Sequence, residues 1–141
     1  MELVPGQHVH FLGVGGISMS ALAEALAVQG FRVSGCDRGD SPRLQGLRDH
    51  GVQVHVGHAP AHLAGVDVVV RTTAIRDDNP ELQAAVAAGL PVHHRSQCLA
   101  WMLRGKRAVA VAGTHGKTTT SAMLAVILEA AGLDPTALRK I

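Results

Sequence analysis

Glycine, lysine and hydroxyl residues crowd one short stretch of this chain, Ala110-Val-Ala-Gly113-Thr114-His115-Gly116-Lys117-Thr118-Thr119-Thr120. An apolar run from Ala108 to Ala112 stops at Gly113, and a long apolar-periodic segment follows Lys117. Strand, glycine loop and helix in that order suit a phosphate group. Backbone N–H groups converge on the anion, the helix start adds the positive end of its dipole, and the lysine brings a point charge. Thr118 stands where a hydroxyl can ligate the Mg²⁺ that travels with ATP. The general pattern G-x-x-x-x-G-K-[ST] asks for glycine at position 111, whereas this chain has Val111 and carries its glycine at Gly113.

A second glycine cluster, Gly13-Val-Gly15-Gly16-Ile17-Ser18, follows the short strand expected at His8–Leu12. Apolar spacing predicts a helix from Ile17 to Gln29, with Ile17, Leu22, Ala25, Leu26 and Val28 apolar and Gly30 as its stop. A second strand, Phe31–Cys36, ends against Asp37. This is a βαβ unit of dinucleotide-binding type, although the third fingerprint position is Ser18 rather than glycine. Gly13 and Gly15 allow a tight turn and close approach to a pyrophosphate. A strand–helix turn without a ligand is the alternative. Asp37 suits ribose hydroxyls, or else belongs with Ser41 and Pro42 to the cap of the next helix, which runs to about His50.

Further along, Val52–Val56 is a third strand and Gly57–Leu63 a turn or short helix. His58 and His62 are four apart, but Pro60 lies between them and no acidic or third histidine partner is expected nearby. The pair is therefore not read as a metal site, and the nine histidines are read as scattered. Val66–Val70 has the β-branched continuity of a strand buried on both faces. It empties into Thr72 and Thr73, which either touch the ligand of the first glycine loop or end the strand and cap the next turn. Asp78-Asn79-Pro80-Glu81 starts a helix that ends at Gly89, and Leu90–His93 suits an edge strand because Pro91 cannot donate to a ladder. Arg95–Arg104 is a further helix with Leu99, Met102 and Leu103 on one side. The exposed Gly105-Lys106-Arg107 step places a boundary between domains at 1–105 and 106–141.

Composition narrows the class. The chain has 141 residues, 47% of them hydrophobic but only 2% aromatic, which suits small-residue packing of helices on a sheet. A net charge of +2, without a basic run, argues against a nucleic-acid partner. Cys36 and Cys98 are too few for a disulfide framework and are expected as free thiols in a reducing compartment. Glu2 and Pro5 interrupt any signal-like start, and no run of eighteen apolar residues exists to span a bilayer. The expectation is a cytoplasmic protein with no membrane partner.

The stretch from Ala110 to Thr120 resembles the A-x-x-G-T-x-G-K-[ST] phosphate loop of the Mur ligases, the cytoplasmic peptide ligases of peptidoglycan synthesis. His115 is similar to the branch carrying G-T-H-G-K-T-T. Gly13–Ser20, Val33-Ser-Gly-Cys-Asp37, Gly57-His58 and Thr72–Ile75 resemble the alanine-adding branch. Gln97, where that family leads one to expect an acid, and the stretch after Pro135 depart from it. The fold implied is α/β: a Rossmann-like parallel sheet flanked by helices, then the first strand–P-loop–helix of an incomplete ATPase domain.

The resemblance also implies a chemistry. UDP-N-acetylmuramate, ATP with Mg²⁺, and L-alanine would be the reactants, joined through an acyl phosphate. Gly113, Thr114, His115, Gly116, Lys117, Thr118 and Thr119 would hold ATP, with Lys117 and Thr118 catalytic and Thr118 on Mg²⁺. Gly13, Gly15, Gly16, Ile17 and Ser18 would hold the UDP pyrophosphate, and Asp37, His58, Thr72 and Thr73 the nucleoside. Ligase turnover is expected of a longer parent chain and not of these residues alone. Two other readings stay open: an NAD-type oxidoreductase or regulatory domain built on Gly13–Ser18 and Asp37, and a non-catalytic nucleotide sensor.

Overall fold

The computed structural model describes residues 1–136, which fall into two units, Met1–Arg104 and a second beginning at Gly105. The departure from the family after Pro135 lies, apart from Thr136, outside the described residues.

In the first unit, five short strands form one parallel sheet in the order β3-β2-β1-β4-β5. They are β1 (His8–Leu12), β2 (Arg32–Asp37), β3 (Gln53–Val56), β4 (Val68–Arg71) and β5 (Val92–His94). β1 sits at the centre, all five of its residues buried, paired with β2 on one side and β4 on the other. Both faces of a parallel sheet must be covered, which is why its middle strands carry near-continuous apolar runs. β4 starts two residues later than its apolar run, because Val66 is still held in the preceding turn by a 3.1 Å bond to the Leu63 carbonyl. Pro91 leaves β5 on the sheet edge, as its missing N–H requires, while its carbonyl still accepts from Val69 at 2.9 Å.

Helices α1 (Ile17–Val28), α2 (Pro42–Asp49), α3 (Pro80–Ala87) and α4 (Arg95–Met102) connect or follow the strands. α1 packs against α2 and α4, whereas α3 packs against a short 3-10 turn at Pro60–Leu63. Right-handed crossovers in this strand order divide the helices between the two faces in that way. The caps are local. Ser41 Oγ accepts from Leu44 N–H ahead of Pro42, and Asn79 Oδ1 accepts from Glu81 and Leu82 N–H at 3.0 Å. At α4, Gln97 Oε1 accepts from His94 N–H at 2.8 Å, completing a capping box and giving this residue a local role.

Two helix faces differ from the apolar spacing. α1 buries Met19, Leu22, Ala23 and Leu26, while Ile17 and Val28 at its ends are 41% and 77% exposed. α4 buries Cys98 and Met102, and Leu103, one residue past its last turn, faces solvent. Under α3 the core is Leu12, Cys36, Val66, Val69, Leu82 and Ala85. Each fully buried large aliphatic side chain contributes about 1.5–3 kcal/mol.

The second unit contains α5 (Lys117–Ala130), none of whose residues is buried. The strand expected at 108–112 does not form: those residues are assigned to no strand and are largely exposed. A strand is a ladder of hydrogen bonds, and among the described residues this segment has no neighbour to pair with. No helix among the described residues is long and apolar enough to cross a membrane.

Candidate functional site

The strand order reverses at β1, whose chain neighbour β2 lies to one side and whose other partner, β4, begins the opposite half. In such sheets ligands lie beyond the carboxyl ends of the strands at the reversal point. Two segments emerge there: the loop Gly13–Gly16 after β1 and the turn Thr72–Ile75 after β4. They touch, since a Cβ added at Gly13 would lie 3.3 Å from Ile75 Cδ1.

The glycine loop is braced from below. Gly13 and Val14 N–H both donate to the Cys36 carbonyl, at 2.9 and 3.0 Å, and Gly16 N–H donates to the Gly13 carbonyl at 3.2 Å. Gly13 has φ of +80°, which favours glycine. Gly15 N–H donates to Asp37 Oδ2 at 2.8 Å, while Oδ1 of the same carboxylate accepts from Arg38 N–H. Asp37 therefore ties the end of β2 to the loop. Gly15 has no room for a side chain, because a Cβ would sit 2.7 Å from that Oδ2. Ile17 and Ser18 open α1, whose N-terminus has no side-chain cap and no acid in its first turn. Its first N–H groups lack intrahelical partners, and the dipole favours an anion there.

Two contributors to this loop lie outside the residues singled out from sequence. Arg43 Nη1 reaches back from α2 to the Gly15 carbonyl at 2.8 Å. Gly35, inside β2, lets Val14 lie against the strand: a Cβ there would be 2.6 Å from Val14 Cβ and 2.9 Å from the Phe11 carbonyl oxygen. A glycine within a buried strand was the available signal, since it marks close backbone approach.

Thr72 Oγ1 accepts from Ala74 N–H at 3.0 Å and the Thr72 carbonyl from Ile75 N–H at 3.2 Å, so this threonine shapes the turn. Thr73 is exposed beside it. His58 has different company. Its Nδ1 lies 3.1 Å from Cys36 Sγ and 3.3 Å from Glu81 Oε2. His62 Nδ1 lies 3.1 Å from Glu81 Oε1, and His10 Nε2 approaches the same oxygen at 2.9 Å. Three of the nine histidines thus converge on one carboxylate, and the His58–His62 pair does have an acidic and a third histidine partner. The crossovers bring Glu81 from α3 and His10 from β1, neither adjacent in sequence.

Glu81 is wholly buried. Burial raises its pKa, but close contacts with His10 and Cys36, with the charges of His10 and His62, outweigh that and hold it at about 2. A buried carboxylate must be compensated in this way. Burial pushes the Cys36 thiol well above its ordinary range, and its bond to Glu81 and that group's charge push the same way. The thiol is neutral and donates to Glu81 Oε2 at 3.0 Å.

In the second unit, Gly116 precedes α5 with φ of +78°, and α5 also starts without a side-chain cap or an acid in its first turn. Lys117 Nζ donates to the Gly113 carbonyl and, at 3.4 Å, to that of Thr114. Thr118 and Thr119 follow in the first turn, and 113–119 are all exposed. The donor set of an anion site is present: a lysine, a hydroxyl after it and an open helix start.

Residues 8–107 match the Mur ligase family, catalytic domain. A UDP-N-acetylmuramate–L-alanine ligase of Symbiobacterium thermophilum is 57% identical over 137 residues, covering 96% of this chain and 28% of that protein. One of Laribacter hongkongensis is 51% identical over 130 residues, covering 92% and 28%. Among solved structures, the UDP-N-acetylmuramate-alanine ligase of Thermotoga maritima superposes with a TM-score of 0.83 at 37% identity, over 89% of this chain and 30% of that one. A murein peptide ligase of Psychrobacter arcticus gives 0.87 at 37%, over 90% and 27%. The chain spans little more than a quarter of these relatives' length. With the family match running through the whole five-stranded sheet and its braced glycine loop, the chain belongs to the Mur ligase family.

Proposed function

We propose that residues 1–104 bind the UDP moiety of UDP-N-acetylmuramate, and that the chain serves ATP-dependent ligation of L-alanine to that substrate's carboxylate in the cytoplasm. The observation that carries this reading is the uncapped start of α1 at the strand-order reversal, with Asp37 holding Gly15 beneath it. Gly13, Gly15 and Gly16 let the backbone approach a pyrophosphate, and the free N–H groups around Ile17 and Ser18 receive its oxygens. Thr72 and Thr73, at the end of the neighbouring strand, flank the nucleoside. Asp37 has a carboxylate already engaged with Gly15, so its main service is to fix the loop. His58 is anchored inward by Glu81 and Cys36 and presents the loop after β3. The names of the relatives, which act on UDP-N-acetylmuramate and alanine, support the substrate assignment.

The residues of the second unit fit the phosphates of ATP: Gly113–Gly116 supply the loop, Lys117 the positive charge, and Thr118, beside Thr119, the hydroxyl for Mg²⁺. Bound ATP supplies the phosphoryl group that activates the carboxylate. Lys117 and Thr118 neutralise and orient that phosphoryl group by electrostatics. These 141 residues alone are expected to bind ATP weakly or not at all and to show no turnover.

Thermal denaturation with ligands tests the binding half. UDP-N-acetylmuramate at about a hundred times its Kd stabilises by roughly 2.7 kcal/mol. A shift with NAD and none with the UDP-sugar would instead favour a dinucleotide-binding module.

A further inference from the structure

We propose that His10, Cys36, His58 and Glu81 form a binding site for one divalent transition-metal ion of the zinc type. Cys36 Sγ, His58 Nδ1 and Glu81 Oε2 stand at the corners of a triangle with edges of 3.0, 3.1 and 3.3 Å. Edges between sulfur, nitrogen and oxygen ligands of a tetrahedral zinc ion are about 3.3–3.6 Å, so an opening of a few tenths of an ångström seats the ion. The donor atoms of His10, Cys36 and Glu81 all lie within 4.8 Å of one another, in three residues that are fully buried.

His10 supplies the independent observation. Its Nε2 is buried, lies 2.9 Å from Glu81 Oε1, and makes no hydrogen bond of acceptable geometry. Its other nitrogen fixes what that atom offers. His8 Nδ1 faces the Gly65 carbonyl at 3.1 Å and must donate to it, leaving Nε2 of a neutral ring to accept from Ser34 Oγ, 2.7 Å away. Ser34 Oγ then accepts from His10 Nδ1–H, also at 2.7 Å. With Nδ1–H given to Ser34, His10 Nε2 is the ring atom aimed at Glu81 Oε1, and the cation that belongs between them is a proton or a metal ion. A histidine held through Nδ1–H by a polar neighbour is also how metal-ligating imidazoles are oriented.

One thiolate, two imidazoles and a carboxylate are borderline donors that suit zinc or cobalt and disfavour magnesium or calcium. Charge agrees. On binding, the Cys36 S–H bond breaks and the sulfur–metal bond forms, and that proton leaves to solvent together with the one shared by His10 Nε2 and Glu81. Thiolate, carboxylate and a divalent ion then sum to zero beside neutral imidazoles, with His10, Cys36 and Glu81 fully buried. Entry is through His58, whose side chain is 14% exposed, at the loop after β3. The ion would join β1, β2, that loop and α3, and Cys36 is the residue whose carbonyl holds the glycine loop.

The test is titration of the chelator-treated chain with Co²⁺ and then Zn²⁺. The expected result is a near-ultraviolet sulfur-to-cobalt band and intense visible bands saturating at one equivalent, displaced by zinc, which also raises the Tm. Cys36→Ser removes the near-ultraviolet band while circular dichroism remains that of the folded chain. Should that variant not fold, X-ray absorption on the zinc-loaded wild-type chain decides, with one sulfur and nitrogen or oxygen donors expected. No saturable binding, a sulfur band that survives Cys36→Ser, or zinc with no sulfur ligand overturns the proposal.

Discussion

Gly35→Ala is the substitution whose outcome can be worked furthest from the geometry. Its Cβ would lie 2.6 Å from Val14 Cβ, 2.9 Å from Val14 Cγ1 and 2.9 Å from the Phe11 carbonyl oxygen. Ordinary van der Waals contact begins at 3.4 Å, about 0.8 Å farther out than the closest of these. None of the three atoms is the free end of a flexible chain. Phe11 O belongs to the central strand, and Val14 is β-branched and wholly buried. Relief must come from backbone movement of β2 away from β1 or of Val14 out of the loop. Such overpacking costs about 1–3 kcal/mol. At about 4–8 °C per kcal/mol for a unit of this size, the Tm should fall by roughly 4–24 °C. Because Val14 sits between Gly13 and Gly15, affinity for a UDP-sugar should fall as well. The internal control is Gly46→Ala within α2, where a Cβ meets nothing within 4 Å. Removing that glycine's backbone freedom should stabilise by about 0.5–1 kcal/mol. Calorimetric melts of the two variants, followed by ligand titration, check both. A Gly35→Ala protein as stable as wild type, with unchanged affinity, would refute the packing reasoning.

Other outcomes rest on single contacts. Asp37→Asn weakens the bond to Gly15 N–H, a charge-assisted interaction of about 1.5–3 kcal/mol, and should lower UDP-sugar affinity more than Tm; isothermal titration beside a melt separates the two. Burial, followed by the charge of the chain N-terminus, lowers the pKa of His93 against the opposing Gln97 bond. The folded state thus prefers the neutral ring. Its stabilising contribution is whole above the unfolded value near 6.5 and is lost as pH falls below it, so urea midpoints should drop more steeply on acidification for wild type than for His93→Gln. Cys98 is buried and its thiol is pushed by burial up to about 12, so iodoacetamide should label it only after unfolding, as mass spectrometry of native and urea-treated chains would show.

Much of the fold is local in sequence and was legible there. The β1–loop–α1–β2 unit arises from glycine placement and apolar spacing, and Ser41-Pro42 and Asn79-Pro80 mark two helix starts that form where capping chemistry puts them. The features that sequence reading missed depend on tertiary structure. The strand expected at 108–112 required a partner that the segment itself cannot supply. Gly35 matters only because Val14 crosses it. His10, Cys36 and Glu81 are separated by dozens of residues, and only the crossovers of a parallel sheet gather them. Ile17 and Val28 count as apolar in a helical pattern, yet at the ends of α1 they lie beyond the sheet's cover.

The central claim is that the loop at Gly13–Ser18 receives a uridine diphosphate. Amide chemical-shift mapping on the isotopically labelled chain tests it most directly. Titration with UDP-N-acetylmuramate should move the amides of Gly13, Gly15, Gly16, Ile17 and Ser18, with Thr72 and Thr73, and leave α3 and α4 in place. Resonances that ignore the UDP-sugar but respond at the same positions to NAD would contradict the account.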